Sequence, residues 1–208
     1  MSNKESVIPY RLHPWHGLFI GENAPKEINC YIEMVPTDTI KYELDKITGI
    51  LKVDRPQRYS SLCPCLYGFI PQTYCGDLIA KHCMDKTGLQ NIVGDGDPLD
   101  ICVFTEKVVP RGDIMLKAFP IGGFRMIDKG QADDKIIAVL AGDFIYEKFK
   151  DVNECPEKII ERLRHYFLTY KDAPDRIHPR VQITHTFGAK EAHKIIEFSQ
   201  QDYKNKFL

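Results

Sequence analysis

Three carboxylates crowd into the stretch 92–104, which reads IVGDGDPLDICVF. Asp95, Asp97 and Asp100 are separated only by glycine, proline and leucine, and an apolar run follows directly. A single Asp-Gly or Asp-Pro pair is typical of a solvated turn, but carboxylates this close raise one another's pKa unless cations lie among them. Because carboxylate oxygens suit hard ions, the cluster predicts a site for Mg²⁺, Mn²⁺ or Ca²⁺ rather than for zinc or copper.

Two familiar metal motifs do not fit the sequence. An EF-hand loop numbered from Asp95 requires glycine at its sixth position, where Asp100 stands, and no helix signal precedes it. The other motif is a zinc cluster, which usually contains paired Cys-x2-Cys spacing. That spacing is absent among the residues that would form it, namely Cys63, Cys65, Cys75, His82 and Cys83.

A second acidic group lies further along the chain, at residues 128–135, which read DKGQADDK. Asp133 and Asp134 precede a predicted strand that opens with Lys135, and alone they would be typical of a turn. Beside the first cluster, this segment could complete a site for several metal ions, and Lys135 would supply a fixed cation.

Charged residues also alternate along residues 40–45, which read IKYELD. Lys41, Glu43 and Asp45 share one face of the predicted strand, and apolar side chains occupy the other. Two interpretations remain open. The charged face is either an ordinary solvated strand face, or it lines a barrel mouth and offers a cation and acids to one pocket.

Short alternating or apolar segments separated by turns predict a mainly β protein. The predicted strands cover residues 28–35, 40–45, 50–55, 99–104, 114–119, 123–127 and 135–140. Helical spacing predicts one helix over 156–170 and a second over 190–203, the latter burying Ala192, Ile195, Ile196 and Ser199. The polar segment 72–94 is interpreted as a long inserted surface loop. Many short strands predict a closed, highly twisted β-barrel with the two C-terminal helices packed outside.

The composition is that of an ordinary globular chain. Its 208 residues are 43% hydrophobic and 27% charged, which predicts a single domain over 1–208. The net charge of −1 gives no general attraction to nucleic acid or to a membrane surface. No apolar run approaches the ~18 residues of a membrane span, and no signal core is visible near the N-terminus. The seven cysteines are therefore expected to be free thiols, and the chain to be cytoplasmic.

Several motifs, in order along the chain, resemble those of the soluble family I inorganic pyrophosphatases. DGDPLD at 95–100 is similar to the family signature Asp-Gly-Asp-Pro-apolar-Asp. IKYELD and the later VDR are similar to its Lys-x-Glu strand and Asp-Arg return, and PCLYG at 64–68 to its Pro-x-x-Tyr-Gly motif. The segments 128–135 and 165–171 are similar to its second acidic motif and its C-terminal Tyr-Lys.

This resemblance, from about Cys30 to Lys171, implies a fold, a reaction and roles for individual residues. The fold would be an OB-like β-barrel flanked by helices, and the reaction would be hydrolysis of pyrophosphate to two phosphates. It implies several Mg²⁺ ions per site, with Mn²⁺ as a substitute, and a homo-oligomer. The implied metal-binding residues are Asp95, Asp100, Asp128 and Asp133, with Glu33 and Glu43 acting through water. Asp97 would be the general base, and the implied substrate-binding residues are Lys41, Arg55, Tyr67, Lys135, Tyr170 and Lys171.

Two residues and one segment depart from the bacterial pattern of the family. Cys63 stands where a tyrosine is usual, and a thiol is a weaker hydrogen-bond donor than a phenol. Thr169 replaces a histidine that helps to join trimers into hexamers, although its companion His165 is present. The segment 72–94 is longer than the compact bacterial loop.

Two other functions are compatible with parts of the sequence. One is a metal-dependent phosphohydrolase acting on another phosphoanhydride such as a nucleotide, although the sequence contains no Walker loop and no dinucleotide fingerprint. The other is a non-catalytic metal-binding or nucleic-acid-binding barrel. The even charge balance disfavours nucleic acid.

Overall fold

The computed structural model describes residues 11–171 and 181–208, and this part of the chain is mainly β, as predicted. Its strands are β1 (Ile28–Met34), β2 (Ile40–Leu44), β3 (Leu51–Pro56), β4 (Leu66–Phe69), β5 (Val93–Gly94), β6 (Asp100–Phe104), β7 (Ile114–Asp128), β8 (Gln131–Ala132), β9 (Lys135–Leu140) and β10 (Val181–Gly188). Its helices are α1 (Asp77–Thr87), α2 (Glu157–Thr169) and α3 (Ala189–Phe207). None of these helices is both long and apolar enough to cross a membrane.

A mixed sheet of eight strands forms the body of the molecule. Its order is β1-β4-β6-β9-β7-β8-β5, and β10 pairs with β7. The long strand β7 pairs with β1 through its first residues and with β9 further along. Strands β6 and β9 run parallel, with Asp100 opposite Lys135. This register places the first residues of the two strands, and therefore the two acidic segments that precede them, at one end of the sheet.

Strands β2 and β3 form a separate hairpin in which Lys41 lies opposite Arg55. The hairpin is attached to the main sheet by a hydrogen bond from the backbone N–H of Leu44 to Oε1 of Glu33, at 2.7 Å. Because Glu33 is on β1, this bond fixes the charged face of the hairpin beside the end of the sheet that carries the acids.

Apolar side chains cover the sheet on the faces that meet the helices. Leu163 and Phe167 of α2 pack with Phe124 of β7, and each buried side chain of this size stabilises the fold by about 1.5–3 kcal/mol. On α3, the residues predicted to be buried are buried, namely Ala192, Ile195, Ile196 and Ser199. Both predicted C-terminal helices are therefore present.

Two predictions about elements were wrong, and four strands were not predicted. The segment 72–94 is not a loop throughout, since it contains α1, whose side chains Ile79 and Cys83 enter the core. The spacing of four between those residues is a helical signal, but polar neighbours and flanking glycines mask it. Residues 114–119 and 123–127 belong to one strand, β7, because its irregularity between Pro120 and Gly122 does not end it. The strands that were not predicted are β4, β5, β8 and β10.

Candidate active site

A cavity of about 180 Å³ opens at the end of the sheet where β6 and β9 begin. It collects the acidic residues that the sequence places far apart. The acids that line it are Glu33, Glu43, Asp95, Asp97, Asp100, Asp128 and Asp133, and the basic residues are Lys41, Lys46, Lys135 and Lys171. A cavity of this size and composition is suited to a small, highly charged ligand rather than to an apolar one.

Tight backbone geometry brings the three carboxylates of the first cluster to the cavity. Gly96 has a φ of +77°, a conformation that glycine adopts at little cost. The N–H of Asp97 donates to Oδ1 of Asp95 at 2.9 Å, while the carbonyl of Asp97 accepts from the N–H of Cys75 at 2.8 Å. The turn is therefore held against the segment that leads into α1, and this explains why a loop-like sequence there is ordered.

Lys135 connects the two acidic groups. Its ammonium is hydrogen-bonded both to Asp100 and to Asp133, and its side chain is almost fully buried. Burial opposes the charge of this lysine, but the two carboxylates raise its pKa well above the usual value. The hydroxyl of Tyr67 donates to Oδ2 of Asp100 at 2.6 Å, so in this arrangement Tyr67 orients a carboxylate.

Several carboxylates in the cavity resist ionisation. Burial raises the pKa of Asp95 to about 8, and the nearby charge of Asp133 adds to the effect. Burial also raises the pKa of Glu33 to about 8, although the hydrogen bond from Leu44 opposes this shift. Such shifts arise where negative charges outnumber positive ones in a site with little water, and added cations would reverse them.

The donor set of the cavity fits hard divalent cations. Seven carboxylates face four ammonium groups, and Oδ1 of Asp128 is buried without a hydrogen-bond partner among the residues that the structure describes. Within residues 11–171 and 181–208, no three acidic, histidine or cysteine side chains already surround one point as a finished metal cage. Lysine ammoniums lie among the carboxylates instead, including that of Lys171, 2.6 Å from Oδ2 of Asp128. Binding of divalent ions would therefore exchange these contacts for metal–oxygen bonds.

Further basic groups surround the cavity. Nζ of Lys41 lies 3.0 Å from Glu43 and 3.1 Å from Asp54. Arg55 does not line the cavity itself but pairs with Asp54 and lies over the ring of Tyr170, 5.9 Å from its centroid. Within residues 11–171 and 181–208, one terminal nitrogen of the Arg55 guanidinium is buried without a hydrogen-bond partner, so this donor could bind an anion.

Lys46 and Trp15 are among the lining residues that sequence reasoning did not find. Lys46 forms an ion pair with Asp97, and Trp15 lies on the cavity wall, where its indole N–H donates to the carbonyl of Thr73 at 2.7 Å. Lys46 belongs to a turn, where a lysine normally points to solvent, and Trp15 precedes the first predicted strand. Neither position carries a local signal of function.

The structure also locates the departures from the family pattern. Cys63 is buried in the apolar cluster around α2, with its sulfur 3.8 Å from that of Cys65, and it does not line the cavity. Cys75 and Cys83 belong to a different core cluster, so the four thiols do not converge. Thr169 is exposed, and its hydroxyl donates to the carbonyl of His165 at 2.8 Å.

Comparisons with known proteins agree with the motifs. Residues 30–204 match the family model described as inorganic pyrophosphatase. The chain is 51% identical to the inorganic pyrophosphatase of Chlamydia caviae, over 100% of this chain and 97% of that one. It is 38% identical to the soluble inorganic pyrophosphatase of Oryza sativa subsp. indica, over 92% and 79% of the two chains. The crystal structure of inorganic pyrophosphatase from Thermus thermophilus superimposes with a TM-score of 0.77 at 26% identity, covering 93% of this chain and 99% of that one.

Proposed function

The chain belongs to the inorganic pyrophosphatase family and hydrolyses inorganic pyrophosphate, and we propose that divalent metal ions bound in the acidic cavity make this reaction possible. The observation that carries the proposal is the convergence of two separate acidic segments on one buried cation, Lys135. Pyrophosphate is itself an anion, so a cavity with an excess of carboxylates admits it only together with additional cations.

The metal-binding roles are assigned to the acids that face one another. Asp95, Asp100 and Asp133 would hold one group of ions and Asp128 with Asp133 another, while Glu33 and Glu43 act through water. When bound, Mg²⁺ lowers the pKa of coordinated water and neutralises charge on the phosphates, and Mn²⁺ supplies the same chemistry.

Asp97 is proposed as the general base that removes a proton from the attacking water. Its side chain lines the cavity, and its ion-pair partner Lys46 is half-exposed, so the pair can separate at little cost. The Asp100 side chain is less exposed than that of Asp97, which suits a ligand rather than a base that exchanges protons with water.

Basic and phenolic groups are proposed to hold the substrate. Lys41, Lys135, Lys171 and Arg55 would neutralise phosphate oxygens, with the guanidinium able to bind two oxygens at once. The hydroxyl groups of Tyr67 and Tyr170 would complete the pocket. Phosphoryl transfer depends mainly on positioning and on electrostatic stabilisation, and all these groups contribute to one or both.

One assay separates the leading function from the alternative of another phosphoanhydride. Phosphate release is measured from pyrophosphate and from ATP, with Mg²⁺ and then with EDTA. We expect rapid release from pyrophosphate with Mg²⁺, little release from ATP, and loss of activity in EDTA. Equal rates on both substrates would favour a broader phosphohydrolase, and full activity in EDTA would refute the metal proposal.

Domain organisation, barrel closure, oligomeric state and cellular location are also proposed. We infer a single domain over residues 1–208 and an OB-like closed barrel, which is supported by the pairing of β7 with both β1 and β9. A homo-oligomer is proposed from the family resemblance. Because Thr169 replaces a histidine of the hexamer contact, the number of subunits must be determined from a measured mass in solution. A cytoplasmic location is proposed because all seven cysteines are buried free thiols.

A further inference from the structure

Lys46 is a cation of the cavity to which no family motif assigns a role. We propose that Lys46 is a further substrate-binding residue, whose ammonium leaves Asp97 and binds the incoming diphosphate. The inference rests on the proposed function, because it requires diphosphate to bind in this cavity. Lys46 lies in the turn between β2 and β3, and its side chain lines the cavity together with that of Asp97.

The backbone beneath Lys46 is held firmly. The carboxylate of Asp45 accepts hydrogen bonds from the N–H and the hydroxyl of Thr48, both at 2.9 Å. On the other side, Nε2 of His13 lies 3.2 Å from the carbonyl oxygen of Lys46. Gly49 closes the turn with a φ of +69°, and a Cβ there would lie 2.8 Å from the His13 ring. The root of the Lys46 side chain is therefore fixed at the rim of the cavity.

The end of the side chain is much less constrained than those of the other lysines in the cavity. The side chain of Lys46 is 45% exposed, compared with 2% for Lys135, 19% for Lys41 and 27% for Lys171. Among the described residues, Lys135 and Lys41 each contact two carboxylates, whereas Lys46, like Lys171, pairs with one. Lys46 is thus the lysine of this group that can change partner at the lowest cost.

Electrostatics favour the transfer of the Lys46 ammonium from Asp97 to the diphosphate. An ion pair between two half-exposed groups is weak, because water screens it and ordering two side chains costs entropy. A diphosphate carries several negative charges, and hydrogen bonds between an ammonium and phosphate oxygens are strong. A diphosphate entering past the rim therefore attracts Lys46 more than the single carboxylate of Asp97 does. The exchange also leaves Asp97 without its lysine partner at the moment when substrate is present.

The alternative is that the Lys46–Asp97 ion pair is a surface contact that only stabilises the hairpin turn. It differs from the proposal in a measurable way, because loss of a surface pair leaves substrate affinity unchanged. The informative variants are Lys46→Gln, which removes the charge, and Lys46→Arg, which retains it. Lys52→Gln is the matched control, since Lys52 lies on the same hairpin, contacts Asp45 and does not line the cavity.

Two readouts are needed, steady-state hydrolysis of pyrophosphate and calorimetric affinity for imidodiphosphate, a non-hydrolysable analogue, both measured with Mg²⁺. We expect Lys46→Gln to raise KM and to weaken analogue binding about tenfold, with kcat changed less than about threefold, as for loss of one charged hydrogen bond. Lys46→Arg should restore both quantities to within about twofold, and Lys52→Gln should resemble wild type.

Other results would overturn the inference. KM and analogue affinity within twofold of wild type in Lys46→Gln would leave Lys46 as a surface ion pair, and a similar loss in Lys52→Gln would show that the hairpin as a whole was disturbed. A wild-type chain that does not hydrolyse pyrophosphate would refute the proposed function separately, and the analogue affinities would still decide whether Lys46 binds a diphosphate.

Discussion

The three aspartates of the DGDPLD turn differ in their surroundings although they are close in sequence. Asp100 contacts Lys135 and Tyr67 inside the cavity, and Asp95 accepts a hydrogen bond from the turn. Asp97 meets a half-exposed lysine at the rim. Local backbone geometry therefore gives chemically identical side chains different surroundings, which is the basis for proposing two of them as ligands and one as a base.

At the scale of single residues, we expect Asp97→Asn and Asp100→Asn to fail in different ways. Asp97→Asn should lower kcat by about 10²–10⁴-fold, the usual contribution of a general base, while Mg²⁺ affinity measured by calorimetry stays within about threefold. Asp100→Asn should weaken Mg²⁺ binding itself, because an amide is a poorer ligand than a carboxylate. Equal losses of Mg²⁺ affinity in the two variants would contradict this division of roles.

At the scale of elements, α1 depends on a residue far away in sequence. Its first backbone N–H groups receive no side chain from their own end of the helix. The carboxylate of Asp202, on α3, accepts from the N–H groups of Gly76, Leu78 and Ile79 at 3.0–3.1 Å instead. The negative charge also lies at the positive end of the helix dipole. Since the residues before α1 hold the acidic turn, this contact supports the active site from outside.

Removal of the Asp202 carboxylate should destabilise the fold. We expect Asp202→Ala to lower the free energy of unfolding by about 1–3 kcal/mol, because buried N–H groups lose their acceptor. Urea titration measures the loss, and Asp202→Asn should cost less because it keeps one acceptor oxygen. Glu197→Ala, an exposed change of the same charge on the same helix, is the control. If Asp202→Ala is no less stable than that control, Asp202 does not cap α1.

At the scale of the whole molecule, the acidic cavity is a cost to the folded state. The net charge of the chain is only −1, but the carboxylates outnumber the ammonium groups within this one cavity. Folding brings these charges together from distant segments, and the raised pKa values of Asp95 and Glu33 reflect that cost. The overall fold tolerates the cavity because the rest of the sheet buries a large apolar surface.

Metal ions that relieve this repulsion should stabilise the protein. We expect Mg²⁺ to raise the thermal midpoint by several degrees, since a ligand at 100 times its Kd adds about 2.7 kcal/mol to the stability of the folded state. NaCl at matched ionic strength is the control for screening. The shift should be smaller in Asp100→Asn. A rise of the same size in NaCl would mean that the cavity does not bind Mg²⁺ specifically.

Much of the fold and of the candidate site can be predicted from local patterns. Alternating side chains identify β1 and β2, and apolar spacing identifies α2 and α3 because one face of each helix packs against the core. The acids of the DGDPLD turn and of the segment 128–135 indicate a functional site because crowded carboxylates repel one another unless cations lie among them. Helix α1 and strand β10 escape such reasoning because their local patterns are weak and tertiary packing stabilises them.

The sequence by itself determined which groups were available, namely the crowded acids, the lysines and arginine near them, and the mainly β scaffold that displays them. Only the tertiary structure decided which of these groups meet. The parallel pairing of Asp100 with Lys135 joins two segments that are separate along the chain, and Lys46, in the turn between β2 and β3, contacts Asp97 of the acidic turn. It also buried Cys63 away from the cavity. The physical reason is that strand register and long-range packing, which no local pattern encodes, set the distances between side chains on which charge neutralisation and catalysis depend.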